Sequence, residues 1–211
     1  MGCASKRVVI ATDPDFDPER VDMDLRLTFD GLLMSTGNRG RPEHVHEIRR
    51  KFHPQLRRFW EVSPIINISN DGNKRVQGLA TKFSKNGYRF VPLVERDRGW
   101  ICAVSILLLR PLAVSRAVLS QGDLDGQLAT LFDALAMPRH AEQLKGFETP
   151  SEGEDPFFCL LEDDSLITQA SVETGLLLQT TEAGLDDNAA RAVISVEVSW
   201  PPGTLGYGIW A

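Results

Sequence analysis

The chain has 211 residues, of which 42% are hydrophobic and 25% charged, and its formal net charge is −6. This composition is typical of a globular protein with enough chain for one sizeable core. No apolar run approaches the roughly 18 residues of a membrane-spanning helix, and three cysteines are too few for a disulfide framework, so we expect a cytoplasmic protein with no membrane partner.

The first elements are predicted from hydrophobic spacing. Residues 1–22 are rich in acids and proline and are predicted to be a flexible lead-in. Asp24–Leu33 alternates apolar and polar residues, which predicts a strand. A Gly-rich loop, Ser35–Pro42, precedes Glu43–Trp60, whose helical period must be kinked or divided by Pro54.

Three further strands are expected in the middle of the chain. Ile65–Asn73 is predicted to be a short strand followed by a turn. Tyr88–Val94 and Trp100–Leu109 are predicted to pair with each other through a turn around Asp97–Gly99.

The clearest helix of the sequence follows residue 122. Apolar residues at helical spacing form a stripe that reaches Leu135. Pro138 is predicted to end the helix. Residues 138–156 are polar and rich in Pro, Gly and Glu, so we expect an insertion loop. Two further strands are predicted, Ile167–Gln179 and Ala192–Trp200, and residues 201–211 are predicted to be a tail.

Together these elements predict one α+β domain over residues 23–200. We expect a small mixed or antiparallel sheet packed against helices.

Two groups of carboxylates are the candidate chemistry. Asp123 and Asp125 lie at the start of the helix that follows residue 122, and Asp163 and Asp164 follow the apolar run Phe157–Leu161. If they meet in the fold, their oxygens suit Mg²⁺, which is usually held by one or two carboxylates, waters and substrate phosphate. The alternative is structural, because acids at a helix start favour capping and the macrodipole, and Asp163-Asp164-Ser165 can be a surface turn.

The same residues carry a resemblance to a known family. Gly122-Asp123-Leu124-Asp125, then Leu131-Phe132-Asp133-Ala134-Leu135, then Glu162-Asp163-Asp164-Ser165-Leu166-Ile167 resemble the signature of RusA-like Holliday-junction resolvases. That family carries D-x-D-N-x-x-K-x-x-x-D-A-L, a strand and D-D-S-x-[IV]. The resemblance spans roughly residues 23–200.

The resemblance implies both a site and an activity. Asp123, Asp125 and Asp164 match the family's catalytic metal-binding acids, with Asp163 as the alternative to Asp164. Asp133 matches an acid of less certain role. The implied protein is a homodimer that uses Mg²⁺ or Mn²⁺ to nick opposing strands of a four-way DNA junction in recombination and repair.

Two departures from the signature put cleavage in doubt. Gly126 stands where the family has Asn, and Ala129 stands where it has Lys. Losing such an electrostatic donor costs on the order of 10²–10³ in rate. A cation could come instead from Arg116, Arg139 or Lys145. The alternative is a degenerate relative that binds branched DNA or a protein partner without cutting.

One segment is basic and carries aromatic residues. It is predicted to bind DNA phosphates through Arg39, Arg41, Arg49, Arg50, Lys51, Arg57 and Arg58. The alternative is a solvated helix face. Three nearby histidines, His44, His46 and His53, have no Cys or acid set to complete a zinc site. The acidic net charge leaves a third possibility, a structural or regulatory protein without DNA affinity.

Overall fold

The centre of the fold is a four-stranded sheet. The computed structural model describes residues 23–35, 42–63, 72–111, 124–178 and 188–199. The sheet has the strand order β1-β7-β4-β6 and is built from β1 (Met23–Leu32), β4 (Ile101–Arg110), β6 (Ile167–Leu176) and β7 (Ala189–Ser199). β7 is antiparallel to β1 and β4, and β6 is parallel to β4.

Each central strand alternates between a buried and a more exposed face. Leu27, Val104 and Ile194 point into the core, and each is at most 2% exposed. Their neighbours on the opposite face, such as Arg26 and Ser105, are exposed. The period of two therefore defines one packed face and one open face of the sheet.

A second sheet has the strand order β2-β3-β5. It contains β2 (Ser84–Lys85), β3 (Tyr88–Val94) and β5 (Phe157–Leu161), and β3 is parallel to β5. The predicted pairing of Tyr88–Val94 with Trp100–Leu109 is wrong, because β3 and β4 lie in different sheets. Between them Arg96–Arg98 forms a 3-10 turn that ends at Gly99 with a φ of 67°, so the chain changes sheet instead of folding into a hairpin.

Three helices of the described ranges pack on these sheets: α1 (Pro42–Val62), α2 (Gly72–Lys82) and α3 (Leu124–Leu135). α1 buries Ile48, Phe52 and Leu56, and it contacts β1, β5 and α3. Full burial of such a side chain contributes about 1.5–3 kcal/mol. The predicted division at Pro54 is wrong, because α1 is continuous through this residue, which lies on the exposed face of the helix.

The segment after α1 differs from its prediction. Gly72 and Asn73, expected in a turn, are the first residues of α2, and residues 65–71 lie outside the described residues. The α2 helix was missed because its apolar residues are few. It covers β3 with Leu79 and Ala80.

The predicted insertion loop, residues 138–156, contains one 3-10 turn, Ala141–Leu144, and packs against α1. Beside its end, His53 Nδ1 accepts a hydrogen bond from the Phe158 amide (2.9 Å), while His53 Nε2 lies 3.0 Å from the Gly153 carbonyl oxygen. The predicted lead-in, residues 1–22, and tail, residues 201–211, lie outside the described residues.

The predicted α+β class is confirmed by this arrangement of helices and mixed sheets. No helix within the described ranges combines the length and the apolar composition that a membrane crossing requires.

Candidate functional site

The turn after β5 lies against the end of α3. Ala136 forms a parallel bridge with Leu161, and the Met137 amide donates to the Leu161 carbonyl oxygen over 2.9 Å. This pairing fixes the end of α3 beside Glu162–Asp164, which we call the acid turn. Two segments of the family-like signature, separated along the chain, therefore meet.

Asp133 is the α3 carboxylate nearest to the acid turn. Burial raises the pKa of Asp133 above its usual range, and the carboxylate of Asp164 adds to the rise, while Arg49 and Arg139 oppose it. Part of this rise therefore comes from the like charge of an acid 31 positions further along the chain.

The other end of α3 carries the remaining predicted ligands. Asp125 is exposed in the first turn of α3. It precedes Asp133 by eight residues, which is about 12 Å along a helix axis. Asp123 lies outside the described residues, so the predicted set of Asp123, Asp125 and Asp164 stays a prediction. Among the residues that the structure describes, no three His, Cys, Asp or Glu side chains form a group that could hold a metal.

Two arginines bind the acid turn. Arg139 contacts Asp163 through Nε over 2.9 Å, and its Nη2 donates to the Asp164 carboxylate. Arg96 Nη2 contacts Asp163 Oδ1 over 3.1 Å, and the Arg96 amide donates to Glu162 over 2.9 Å. The turn's negative charge is therefore largely compensated within the chain.

The two aspartates of the acid turn have different surroundings. Asp163 accepts a hydrogen bond from the Ser165 amide (3.0 Å), and hydrogen bonding by Ser165, with Arg139 and Arg96, lowers the pKa of Asp163. Its side chain is 18% exposed, whereas that of Asp164 is 36% exposed. Asp163 thus caps the turn, and Asp164 is the more accessible carboxylate.

A shallow depression of about 300 Å³ adjoins Asp164. Its wall is formed by Phe132 of α3 and by the first residues of β6, Ile167, Thr168, Gln169 and Ala170. A ligand in this depression would therefore contact one carboxylate and a mostly uncharged surface.

Gly126 and Ala129, the two residues that differ from the family signature, have different environments. Ala129 is exposed on α3, so a longer side chain at this position would enter solvent. Gly126 is buried, so a larger residue there would need space within the packed interior. Of the three alternative cations, Arg139 contacts the acid turn, Lys145 is exposed in the 138–156 loop, and Arg116 lies outside the described residues.

Arg49 was predicted to bind DNA, and its position corrects that prediction. It is 1% exposed. Its guanidinium donates to the carbonyl oxygens of Ala136 (2.8 Å) and Asp133 (2.9 Å). These carbonyls end α3 and have no helical partner, so Arg49 satisfies them and cannot reach a phosphate.

The rest of the basic segment is partly compensated. Arg50 bonds to Glu154, and Lys51 donates to the Asp30 carbonyl oxygen. Arg57 and Arg58 are exposed and lie near Glu61. Arg39 and Arg41 lie outside the described residues. Within the described part of α1, the surface open to a phosphate is therefore centred on Arg57 and Arg58.

The three histidines of α1 lie in the packed interior. His44, His46 and His53 are all buried, and burial lowers the pKa of each. His46 packs against the rings of Tyr88, Phe147 and Phe157, which is a core position.

Sequence reasoning missed Arg96. Arg96 follows β3, and the acid turn follows β5. Because these strands are parallel, both segments lie at the carboxyl ends of the strands, on the same side of the sheet. The Glu162 amide donates to the Val94 carbonyl oxygen (2.9 Å) on that side. Charged residues after two buried strands were the available signal, but the expected pairing of β3 with β4 hid it.

Comparison with known proteins adds no relative: no protein-family model, curated protein or solved structure matches this chain.

Proposed function

We propose that the protein is a Mg²⁺- or Mn²⁺-dependent endonuclease of the RusA-like kind that acts on four-way DNA junctions as a homodimer. The observation that carries the proposal is the pairing of Ala136 and Met137 with Leu161, because it brings the end of the D-A-L helix beside the D-D-S turn. Two segments that match the signature in sequence, the end of α3 and the acid turn, are then neighbours in space.

The chemistry of the donors fits a hard divalent ion. Asp164 is the accessible acid of the turn and offers carboxylate oxygens, and Asp125 does so on the exposed face of α3, at the end of that helix away from the turn. Asp123 would complete the set. A bound Mg²⁺ would supply a water of lowered pKa and charge stabilisation at the phosphate.

Arg139 has a defined part in this proposal. Its guanidinium holds Asp163 and Asp164, so it must release Asp164 when an ion binds there. Once released, it is a cation beside the scissile phosphate and can take the place of the Lys that Ala129 lacks.

The experiment uses a labelled four-way junction with Mg²⁺. Wild-type protein and Asp24→Asn, an exposed acid on β1 remote from the turn, are expected to nick opposing strands. Asp164→Asn is expected to cut at least about 100-fold more slowly, because it removes an anionic ligand. Absence of nicks from the wild type, under conditions in which a positive-control resolvase cuts, would remove the enzyme proposal.

A second candidate function is DNA binding without cleavage. The contacts of Arg96 and Arg139 with the acid turn favour it, because an acid site already neutralised by arginine has less affinity for a cation. Ala129→Lys tests it, since Ala129 is exposed and the change leaves the packing intact. Cleavage that appears only in this variant supports the degenerate function, and equal cleavage by the wild type rules it out.

DNA affinity itself is measured against salt concentration. A protein that neutralises phosphates loses affinity as salt rises, with a slope of about −0.9 per phosphate contacted. Arg57→Gln with Arg58→Gln is expected to reduce that slope. Absence of junction binding at low salt would support the third possibility, a protein without DNA affinity.

A further inference from the structure

The four-stranded sheet has two edge strands of equal length, β1 and β6, with ten residues each. An edge strand presents unpaired N–H and C=O groups to which another strand can add. The two edges of this sheet differ in how these groups are used.

Side chains of α1 block the β1 edge. Gln55 accepts a hydrogen bond from the Thr28 amide (2.9 Å) and donates to the Thr28 carbonyl oxygen (2.8 Å). Lys51 donates to the Asp30 carbonyl oxygen two residues further along. The amide group of Gln55 thus reproduces the two hydrogen bonds of a neighbouring strand, and no strand can pair there without displacing it.

Within the part of the chain that the structure describes, the β6 edge has no such cover. Apart from the Ile167 amide, which donates to the Asp164 carbonyl oxygen, the main chain of β6 bonds, among the described residues, only to β4. The polar side chains of β6 that form hydrogen bonds also turn to β4: Thr168 donates to the Cys102 carbonyl oxygen (3.3 Å) and Ser171 donates to Ser105 (2.8 Å). β6 contains one charged residue, Glu173, and no proline or lysine to discourage pairing.

Apolar side chains of β6 that lie on the packed face of the sheet are also exposed to solvent at this edge. Ala170 is exposed, Val172 is half-buried beside Ile106, and Leu176 is 43% exposed. Leu178, two residues beyond, is 87% exposed. An added strand would extend the sheet and cover the side chains that the chain's own helices leave open.

We propose that the β6 edge is the dimer interface, at which a second copy of this chain pairs its own β6 antiparallel to form a continuous eight-stranded sheet. A two-fold axis perpendicular to the sheet keeps the core faces of both copies on one side. It therefore pairs odd positions with odd and even positions with even.

The sequence of β6 is complementary to itself in this arrangement. With the axis at Ser171, Gln169 lies opposite Glu173 of the partner subunit, and Ala170 lies opposite Val172 of the partner subunit. With the axis at Val172, Ser171 lies opposite Glu173 of the partner subunit. Neither register opposes like charges, which would be destabilising.

The pairing places the two acid turns symmetrically. Each turn directly precedes β6, so antiparallel strands carry the turns at opposite ends of the interface. With the axis at Ser171 the two β6 starts are about 27 Å apart along the strands. The suggestion that this distance between the two acid turns sets the positions of paired DNA cuts rests on the proposed function. The pairing of the two β6 strands does not rest on it.

The first test measures the mass of the protein in solution by light scattering and sedimentation, without DNA or metal. Wild type is expected at twice the 23.4-kDa chain mass. Ser171→Lys with Glu173→Lys is expected to weaken the dimer by about tenfold or more, because either register then opposes lysines. Asp24→Lys with Thr28→Lys makes the same charge change on the blocked β1 edge and is expected to leave the dimer unchanged. A monomeric wild type, or a dimer that the Ser171/Glu173 variant does not weaken, overturns the proposal.

The second test needs no disruption of the interface. Ser171→Cys in a Cys3→Ser background is expected to form a covalent dimer with a short bis-maleimide, since Cys102 and Cys159 are buried. Thr28→Cys in the same background is the control and is expected to remain monomeric on denaturing gels. Equal cross-linking of the two variants overturns the proposal. Because neither test involves cleavage, failure of the interface and failure of the nuclease proposal are distinguishable.

Discussion

Arg49 of α1 donates through Nη2 to the carbonyl oxygen of Asp133, over 2.9 Å, in the last turn of α3. The two residues are 84 positions apart in the chain. Through this contact a buried cation positions the helix end whose carboxylate faces the acid turn. Packing of α1 and the geometry of the candidate site are therefore linked.

Replacing Arg49 is expected to destabilise the fold strongly. Arg49→Ala leaves the buried carbonyls of Asp133 and Ala136 without their donor, and each such loss costs about 1–3 kcal/mol. We expect the free energy of unfolding to fall by about 3 kcal/mol, measured by urea denaturation. Arg58→Ala, at an exposed position, is expected to change it by no more than about 0.5 kcal/mol. Similar losses in the two variants would contradict this role of Arg49.

Acid is expected to destabilise the protein through His46. Burial, with the nearby Arg49, lowers the pKa of His46 from 6.5 to about 3 in the folded state. Between these values the unfolded chain binds a proton that the folded chain does not. The contribution of neutral His46 is therefore present above pH 6.5 and is lost as pH falls toward 3, by up to about 1.4 kcal/mol per pH unit.

The measurement is urea unfolding of His46→Gln across the same pH range. Gln can still accept from Arg49 Nη1, which lies 3.2 Å from His46 Nδ1. Its stability is expected to fall less steeply with acid than that of the wild type, while the buried His44 and His53 retain part of the slope. His140→Gln, at an exposed position, serves as the control. An unchanged slope in His46→Gln would refute the assignment.

If Asp164 is a metal ligand as proposed, removal of the guanidinium from the acid turn is expected to strengthen Mn²⁺ binding. Arg139→Gln releases the Asp164 carboxylate and deletes one positive charge beside it. Because the pair is partly exposed, we expect Mn²⁺ to bind about five- to tenfold more tightly, corresponding to roughly 1 kcal/mol. Calorimetric titration measures the affinity. Arg58→Gln makes the same charge change elsewhere, and a weaker or unchanged affinity in Arg139→Gln would count against Asp164 as a ligand.

Gln55 is expected to protect the sheet from unwanted pairing. Gln55→Ala removes both hydrogen bonds to Thr28, so stability is expected to fall by about 1–2 kcal/mol. The opened β1 edge is also expected to promote aggregation, measured by light scattering over time. Gln77→Ala, on the exposed face of α2, is the matched change. Equal aggregation of the two variants would exclude a protective role.

Local sequence patterns predicted the individual elements well. β1 and α1 were expected because spacings of two and of three to four residues are set by backbone geometry alone. The division predicted at Pro54 does not occur, because α1 runs without interruption from Pro42 to Val62. The weakly apolar α2 was missed because tertiary contacts with β3, not its own pattern, stabilise it.

The sequence by itself determined the period of each main strand and helix, the α+β class and which acids were available for chemistry. Only the tertiary structure decided which of them meet. Parallel pairing of β3 with β5 brings Arg96 to the acid turn. Arg49, which was expected on the DNA-binding surface, is buried in the core. The physical reason is range: periodicity reflects neighbours within one turn or strand, whereas strand pairing and charge burial depend on residues that are far apart in the chain and meet only on folding.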